Sequence, residues 1–274
     1  MSDGVTDPGA PPPGVREHDV RAGELTMRVA EAGTGSPVVL IHGNFASRRW
    51  FYEQLAAPPP GLRLLAPDLP NFGASPPLPA GEIRLEAYAD ALVALLDALE
   101  VPRAVLVGHS LGAAVAERAC VARPSRVAGL MLVDGAPPQG LPRPEAHYEL
   151  LAGLQGRRDA LEAALGPLCP TRTPPTWPAL LDDALAMAPA AFDGNARALG
   201  RSVLPPVPDD FDAPVLVLRG GQDVLITDEM AQATARHWPG AELVTWTDVG
   251  HAPPVEAPTR FTALLAEFAE AAMP

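Results

Sequence analysis

Ala104-Val105-Leu106-Val107-Gly108-His109-Ser110-Leu111-Gly112 is the stretch that decides the fold. Its first four residues form an unbroken apolar run of the kind found in strands buried on both faces, and residues 113–123 follow with a helical pattern. Between the two lies G-x-S-x-G. A serine on a tight strand-to-helix turn projects its hydroxyl above the sheet, and the flanking glycines are needed because side chains there would collide with the adjacent strand and helix. Ser110 is therefore the candidate nucleophile. The same turn brings the N–H of Leu111, with the partial positive charge of the helix start, beside a reacting carbonyl, which makes Leu111 a candidate oxyanion donor.

Outward from this turn, short apolar runs alternate with longer helical patterns. Residues 15–20 and 24–30 read as a hairpin about Arg21-Ala22-Gly23, and further strands are expected at 38–41, 62–66, 127–133, 215–218 and 242–246. Between them, Leu85, Leu92, Leu96 and Leu99 share one face of a helix over 83–100, and Phe261, Leu264, Leu265 and Phe268 repeat the pattern near the end. These stripes are core. The alternation predicts an α/β fold, a mostly parallel sheet with helices on both faces. It stops after Asp134. Residues 136–210 are proline-rich, with helical pieces at 148–153 and 160–165, and are too long for an ordinary loop. Trp177, Leu180, Leu181, Met187 and Phe192 predict a packed helical insertion. The core then comprises 15–135 and 211–274, and residues 1–14, MSDGVTDPGAPPPG, read as a disordered tail. There are no internal repeats.

Composition narrows the function. Hydrophobic residues are 47% and charged residues 19% of 274, near the averages for a globular protein. A formal charge of -13 and the lack of any basic run work against nucleic acid or an anionic membrane as partner. No stretch approaches the roughly 20 apolar residues of a membrane helix. The first residues lack the basic and apolar segments of a signal peptide, so a cytoplasmic chain is expected. Cys120 and Cys169 have no metal-ligand spacing and are too few for a disulfide framework. The expectation is a monomer or homodimer acting on a small molecule, without metal or cofactor.

A serine hydroxyl needs a base within hydrogen-bond reach, and that base needs a group to hold its tautomer. Val215-Leu216-Val217-Leu218-Arg219-Gly220-Gly221-Gln222-Asp223 is a strand followed by a turn ending on a carboxylate, and Thr247-Asp248-Val249-Gly250-His251 follows the last strand. Serine, acid and histidine in that order, each past the carboxyl end of a strand, point to Asp223 and His251 as partners of Ser110. Asp134, which ends an earlier strand, is the rival carboxylate. His18, His147 and His237 fit the pattern less well, and His109 reads as a turn residue packing under the serine. The second oxyanion donor is expected from His42-Gly43-Asn44-Phe45-Ala46-Ser47, where Gly43 permits close approach and the Asn44 N–H faces the carbonyl. Ser47 would cap a helix over 48–57. Phe45, Trp50, Trp177, Met187 and Phe192 are candidates for an apolar substrate pocket, with plain core packing as the competing reading.

Taken together, HGNF at 42–45, DLPNFGAS at 68–75, GHSLG at 108–112, GGQD at 220–223 and GHAPP at 250–254 resemble the α/β-hydrolase superfamily. The likeness runs from about 15 to 268 and is weakest in the insertion. It implies an eight-stranded sheet with the insertion folded as a helical lid, Ser110, Asp223 and His251 as triad, and Asn44 and Leu111 as oxyanion donors. The HGN segment also resembles haloalkane dehalogenases. Those enzymes, like epoxide hydrolases, use a carboxylate nucleophile, so Ser110 separates this chain from both. Where relatives often carry Arg-Gly, this chain has Pro70-Asn71, and because Asn tolerates positive φ the turn is expected to persist. The implied activity is cleavage of a small carboxylic ester through an acyl-enzyme. Lactones and C–C bonds next to a ketone are rivals on the same fold, and a non-catalytic small-molecule receptor is the rival from another class.

Overall fold

The computed structural model describes residues 9–78 and 83–273. Residues 1–8 of the expected tail lie outside the described residues. Residues 9–14 run as turns, and the Gly9 carbonyl accepts from Arg49 Nε at 2.9 Å.

Eight strands form one sheet: β1 (Arg16–Ala22), β2 (Leu25–Gly33), β3 (Ser36–Ile41), β4 (Leu62–Pro67), β5 (Ala104–His109), β6 (Val127–Val133), β7 (Val215–Gly220) and β8 (Glu242–Trp246). Their order is β1-β2-β4-β3-β5-β6-β7-β8. The hairpin turns one residue later than the Arg21-Ala22-Gly23 reading. Ala22 pairs with Leu25, so Gly23 and Glu24 make a two-residue loop, with Gly23 at φ 62°. β2 joins β4 antiparallel, and from β4 to β8 every neighbour is parallel.

Two inner strands, β5 and β6, are buried at every residue, as parallel strands covered on both faces must be. α3 (Leu111–Ala122) and α10 (Pro258–Ala272) pack on them, while α2 (Leu85–Ala98) packs on α3 and β1, and α8 (Asp228–His237) on β7 and β8. Leu85, Leu92 and Leu96 of α2 are buried as the stripe predicts, and Leu99 follows as its C-cap residue. Gln54 of the short helix α1 (Tyr52–Ala56) donates to the Pro254 carbonyl of α9 (Pro253–Glu256) at 2.8 Å. Arg48–Phe51 form a 3-10 turn ahead of α1, and Ser47 caps that turn by accepting from Arg49 N at 3.2 Å. No described helix is long and apolar enough to cross a membrane.

Between β6 and β7 the chain builds α4 (Glu145–Ala152), α5 (Arg158–Leu165), α6 (Trp177–Leu185) and α7 (Ala191–Arg201), with no strand among the described residues. Leu161, Trp177, Leu180, Leu181, Met187 and Phe192 are buried in the same core as the sheet residues. Hydrogen bonds tie this segment to the carboxyl edge of the sheet: His251 N donates to Leu168 O at 2.9 Å, and Ala188 N to Asn71 O at 2.9 Å.

Candidate active site

Ser110 stands between β5 and α3 with φ 53° and ψ -115°, a conformation that costs a non-glycine residue on the order of 1–3 kcal/mol. The turn survives because its surroundings leave no alternative. A Cβ on Gly108 would lie 2.3 Å from Gly112 O, and one on Gly112 would lie 2.2 Å from Ile41 O of β3. Only glycine allows α3 to pack this closely on the sheet. Ser110 N is anchored by Val133 O of β6 at 2.9 Å, and the strained turn aims the hydroxyl out past the carboxyl ends of the strands.

The three residues expected to act together are together. His251 Nε2 lies 3.0 Å from Ser110 Oγ, and its Nδ1 lies 2.7 Å from Asp223 Oδ2. His251 and Asp223 are buried. Their loops are fastened to each other by backbone bonds, Gly221 N to Trp246 O at 2.7 Å and Gln222 N to Val249 O at 2.8 Å. Asp223 Oδ1 accepts from Leu225 N at 2.6 Å. Burial alone would raise the Asp223 carboxyl, but the hydrogen bond and charge of His251 outweigh it and hold the group below the usual carboxylate range. Asp223 is thus ionised, and its bond to Nδ1 turns the Nε2 edge of the imidazole toward the serine.

Among the described residues, neither Asn44 N–H nor Leu111 N–H has a hydrogen-bond partner. Leu111 opens α3, where the first N–H groups have no partner inside the helix. The Asn44 loop passes directly over the serine: a Cβ on Gly43 would sit 3.0 Å from Ser110 Cβ. Phe45 at φ 56° bends the loop there. His42 secures its base, donating Nδ1–H to Gly43 O at 2.8 Å and accepting at Nε2 from Leu69 N at 3.0 Å. Burial pulls His42 down to about 4, so it stays neutral in that role.

His109, read from the sequence as packing under the serine, is joined by supports that carry no local sequence signal. His109 Nε2 donates to His251 O at 2.7 Å, and its ring stacks on Trp50 at 5.6 Å and lies 5.1 Å from the His251 ring. Burial, then the positive charge of His251, lower His109 to about 3, which keeps it an uncharged prop. On the other side, Asn195 of α7 donates Nδ2–H to Asn44 Oδ1 at 2.8 Å and accepts from Tyr88 OH at 2.7 Å, while Asn71 Nδ2 donates to Tyr88 OH at 2.6 Å. Asn71 has φ 76°, as expected for the residue standing where relatives often have glycine.

Of the pocket candidates, Phe45 and Phe192 meet edge to face at 5.6 Å, and Trp50 stacks on His109. Trp177 and Met187 are buried, and neither shares a hydrogen bond or ring contact with Ser110, Asp223 or His251. Cys120 and Cys169 are both free and buried.

Residues 38–264 match the model of the Alpha/beta hydrolase family. The chain belongs to that family. This hydrolase is 30% identical over 256 residues to "Pimeloyl-[acyl-carrier protein] methyl ester esterase" of Neisseria meningitidis, covering 85% of this chain and 93% of that protein. A more local likeness, 36% over 115 residues, links it to "Epoxide hydrolase" of Caballeronia sordidicola; it spans 41% of this chain and about a third of that one, 35%. The fold is that of the esterase of Exiguobacterium antarcticum, with a TM-score of 0.82, 20% identity, and coverage of 93% of this chain and 100% of the other.

Proposed function

We propose that this hydrolase cleaves a small carboxylic ester through an acyl-enzyme on Ser110. The observation that carries the reading is the continuous hydrogen-bonded line from Asp223 through His251 to a serine held in a strained turn. A serine placed there without a function would be replaced at no cost by glycine, which adopts the same φ freely.

His251 Nε2 takes the Ser110 proton as Oγ attacks the ester carbonyl. Asp223 stabilises the imidazolium through Nδ1–H, and the N–H groups of Asn44 and Leu111 receive the developing oxyanion, a donor pair in which each member is worth on the order of 10²–10³ in rate. The imidazolium then protonates the departing alkoxide. Water, deprotonated by the same His251, attacks the acyl-enzyme and releases the acid. Helices α4–α7 serve as the lid over this site, and Phe45, Trp50 and Phe192 form the apolar side that receives an acyl or alcohol group. The relative of nearly full length that bears an esterase name supports an ester as the bond cleaved.

A chain-length series of p-nitrophenyl esters, assayed with wild type and Ser110→Ala, tests the reading. Turnover that depends on Ser110 and peaks at one acyl length is expected. A Ser110 that reacts with phosphonates but turns over none of the esters would replace the ester with a lactone or a C–C bond, and a protein inert to both would act as a receptor.

A further inference from the structure

Behind Asp223 the sheet holds a second carboxyl that the chemistry above does not use. Asp134 follows β6, is buried, and has φ 46°. Its Oδ1 accepts from Gly220 N at 2.9 Å. Its Oδ2 is equally buried and receives no hydrogen bond from any described residue. An oxygen of Asp134, an oxygen of Asp223 and a ring nitrogen of His251 lie within 4.8 Å of one another.

Two ionised carboxylates this close in a water-poor site repel strongly, and neither can donate to the other. A proton on Asp134 removes both difficulties. It turns the orphaned Oδ2 into a donor, and the acceptor beside it is Asp223. We infer that Asp134 is a positioning residue of the triad, a neutral acid whose O–H donates to Asp223, so that the carboxylate orienting His251 is itself held from two sides, by Leu225 N–H and by Asp134. The inference rests on the triad reading.

The electrostatics agree with the geometry. Burial, and then the charge of Asp223, push Asp134 well above the usual carboxylate range, and the hydrogen bond from Asp134 helps hold Asp223 below it. Arg219 is the cation felt at Asp134 and draws it the other way without prevailing. His251 and His109 are the titratable rings that face Asp223. Fixed by a third donor, Asp223 has less affinity for the imidazolium proton, so the proton stays on His251 and is available to the leaving group.

The test measures the pH profile of kcat/KM for wild type, Asp134→Gly and Asp134→Asn on the ester best turned over, with melting temperatures alongside. Glycine tolerates φ 46° but offers no donor, and it lowers kcat/KM by about tenfold or more, the scale of a lost charge-assisted hydrogen bond. Asparagine also tolerates positive φ. Its Oδ1 accepts from Gly220 and its Nδ2 donates to Asp223, so it recovers most of the activity with the acidic limb of the profile where wild type has it. If Asp134 were ionised, Asp134→Asn would remove a negative charge beside the base and displace that limb downward by about one pH unit or more. A displaced limb overturns the inference, as does full activity in Asp134→Gly. Should Asp134→Gly not fold, the limb of Asp134→Asn decides alone. Retained activity in Ser110→Ala is a separate result: it would sink the triad reading rather than the protonation of Asp134.

Discussion

The carboxyl edge of the sheet and the helices over residues 136–210 are both packed into one core, yet they are held by different means. At the sheet edge, backbone geometry does the holding: a strained serine turn between two glycines, and Asp and His loops bonded main chain to main chain. The helical segment has two backbone bonds to that edge, at Leu168 and Ala188, and is otherwise attached by side-chain links that cross its boundary. Asp183 binds Ser47 and Arg49, Arg172 binds Glu53, and Asn195 binds Asn44 and Tyr88. Backbone geometry cannot be altered by trimming one side chain, whereas a side-chain link can be cut singly. The reaction should therefore depend steeply on the few side chains aimed from the sheet edge, and the helical segment should tolerate the loss of any one link with a graded response.

The largest effect tests the sheet edge. Asp223→Asn preserves shape but favours the wrong tautomer of His251, and kcat/KM is expected to fall by about 10³–10⁴ with little change in melting temperature. A loss under tenfold would show that the orienting acid lies elsewhere.

Next in size is a test of how water-free the packing under the sheet edge is. Glu117 of α3 is fully buried, accepts from Trp238 Nε1 at 3.0 Å, and is raised by burial to about 7. The folded state thus holds a proton that the unfolded chain releases near its usual value of 4.5. Wild-type stability contributed by this group is intact below that value and is lost as pH rises through about 7. Glu117→Gln keeps the acceptor and removes the titration, so above pH 7 it is expected to be more stable than wild type by about 2–4 kcal/mol, with the gap closing below pH 5. Denaturant titrations at both pH values measure this. An equal difference at the two pH values would mean that Glu117 is hydrated.

The helical segment is tested by cutting the link between Asn195 and Asn44. Asn195→Ala leaves Tyr88 and Asn44 without their partner, and is expected to cost about 1–3 kcal/mol of stability and about tenfold in kcat. Unchanged kcat would mean that the Asn44 loop does not need the helical segment. The smallest effect is expected at the exposed pair Arg158–Asp182 inside that segment. Arg158→Ala should stay within about 0.5 kcal/mol of wild type.

The two regions also differ in how legible they are in sequence. All eight strands, α2, α3 and the residues Ser110, Asp223 and His251 follow from local patterns, because a turn such as G-x-S-x-G or a strand ending on a carboxylate carries its geometry within a few residues. The hairpin turn slipped by one residue, since the period of two fixes the faces of β1 and β2 but not the loop between them. That His109 packs under the serine was legible, but the partners of the site's supports were not. His109 and His251 are 142 residues apart in the chain, Asn44 and Asn195 are 151 apart, and Ser47 and Asp183 are 136 apart. Single polar residues that meet only after folding leave no periodic trace. Asp134 is intermediate: its position at a strand end marked it as a carboxylate of interest, but that it backs Asp223 rather than replacing it is visible only in three dimensions.

The most direct measurement of a Ser110 nucleophile is intact-protein mass spectrometry after exposure to a fluorophosphonate, followed by mapping of the adduct. One adduct per chain is expected, on the peptide containing Ser110, formed at a rate that falls sharply in His251→Ala and absent in Ser110→Ala. An adduct on another residue, or none on a folded wild-type protein, would contradict it.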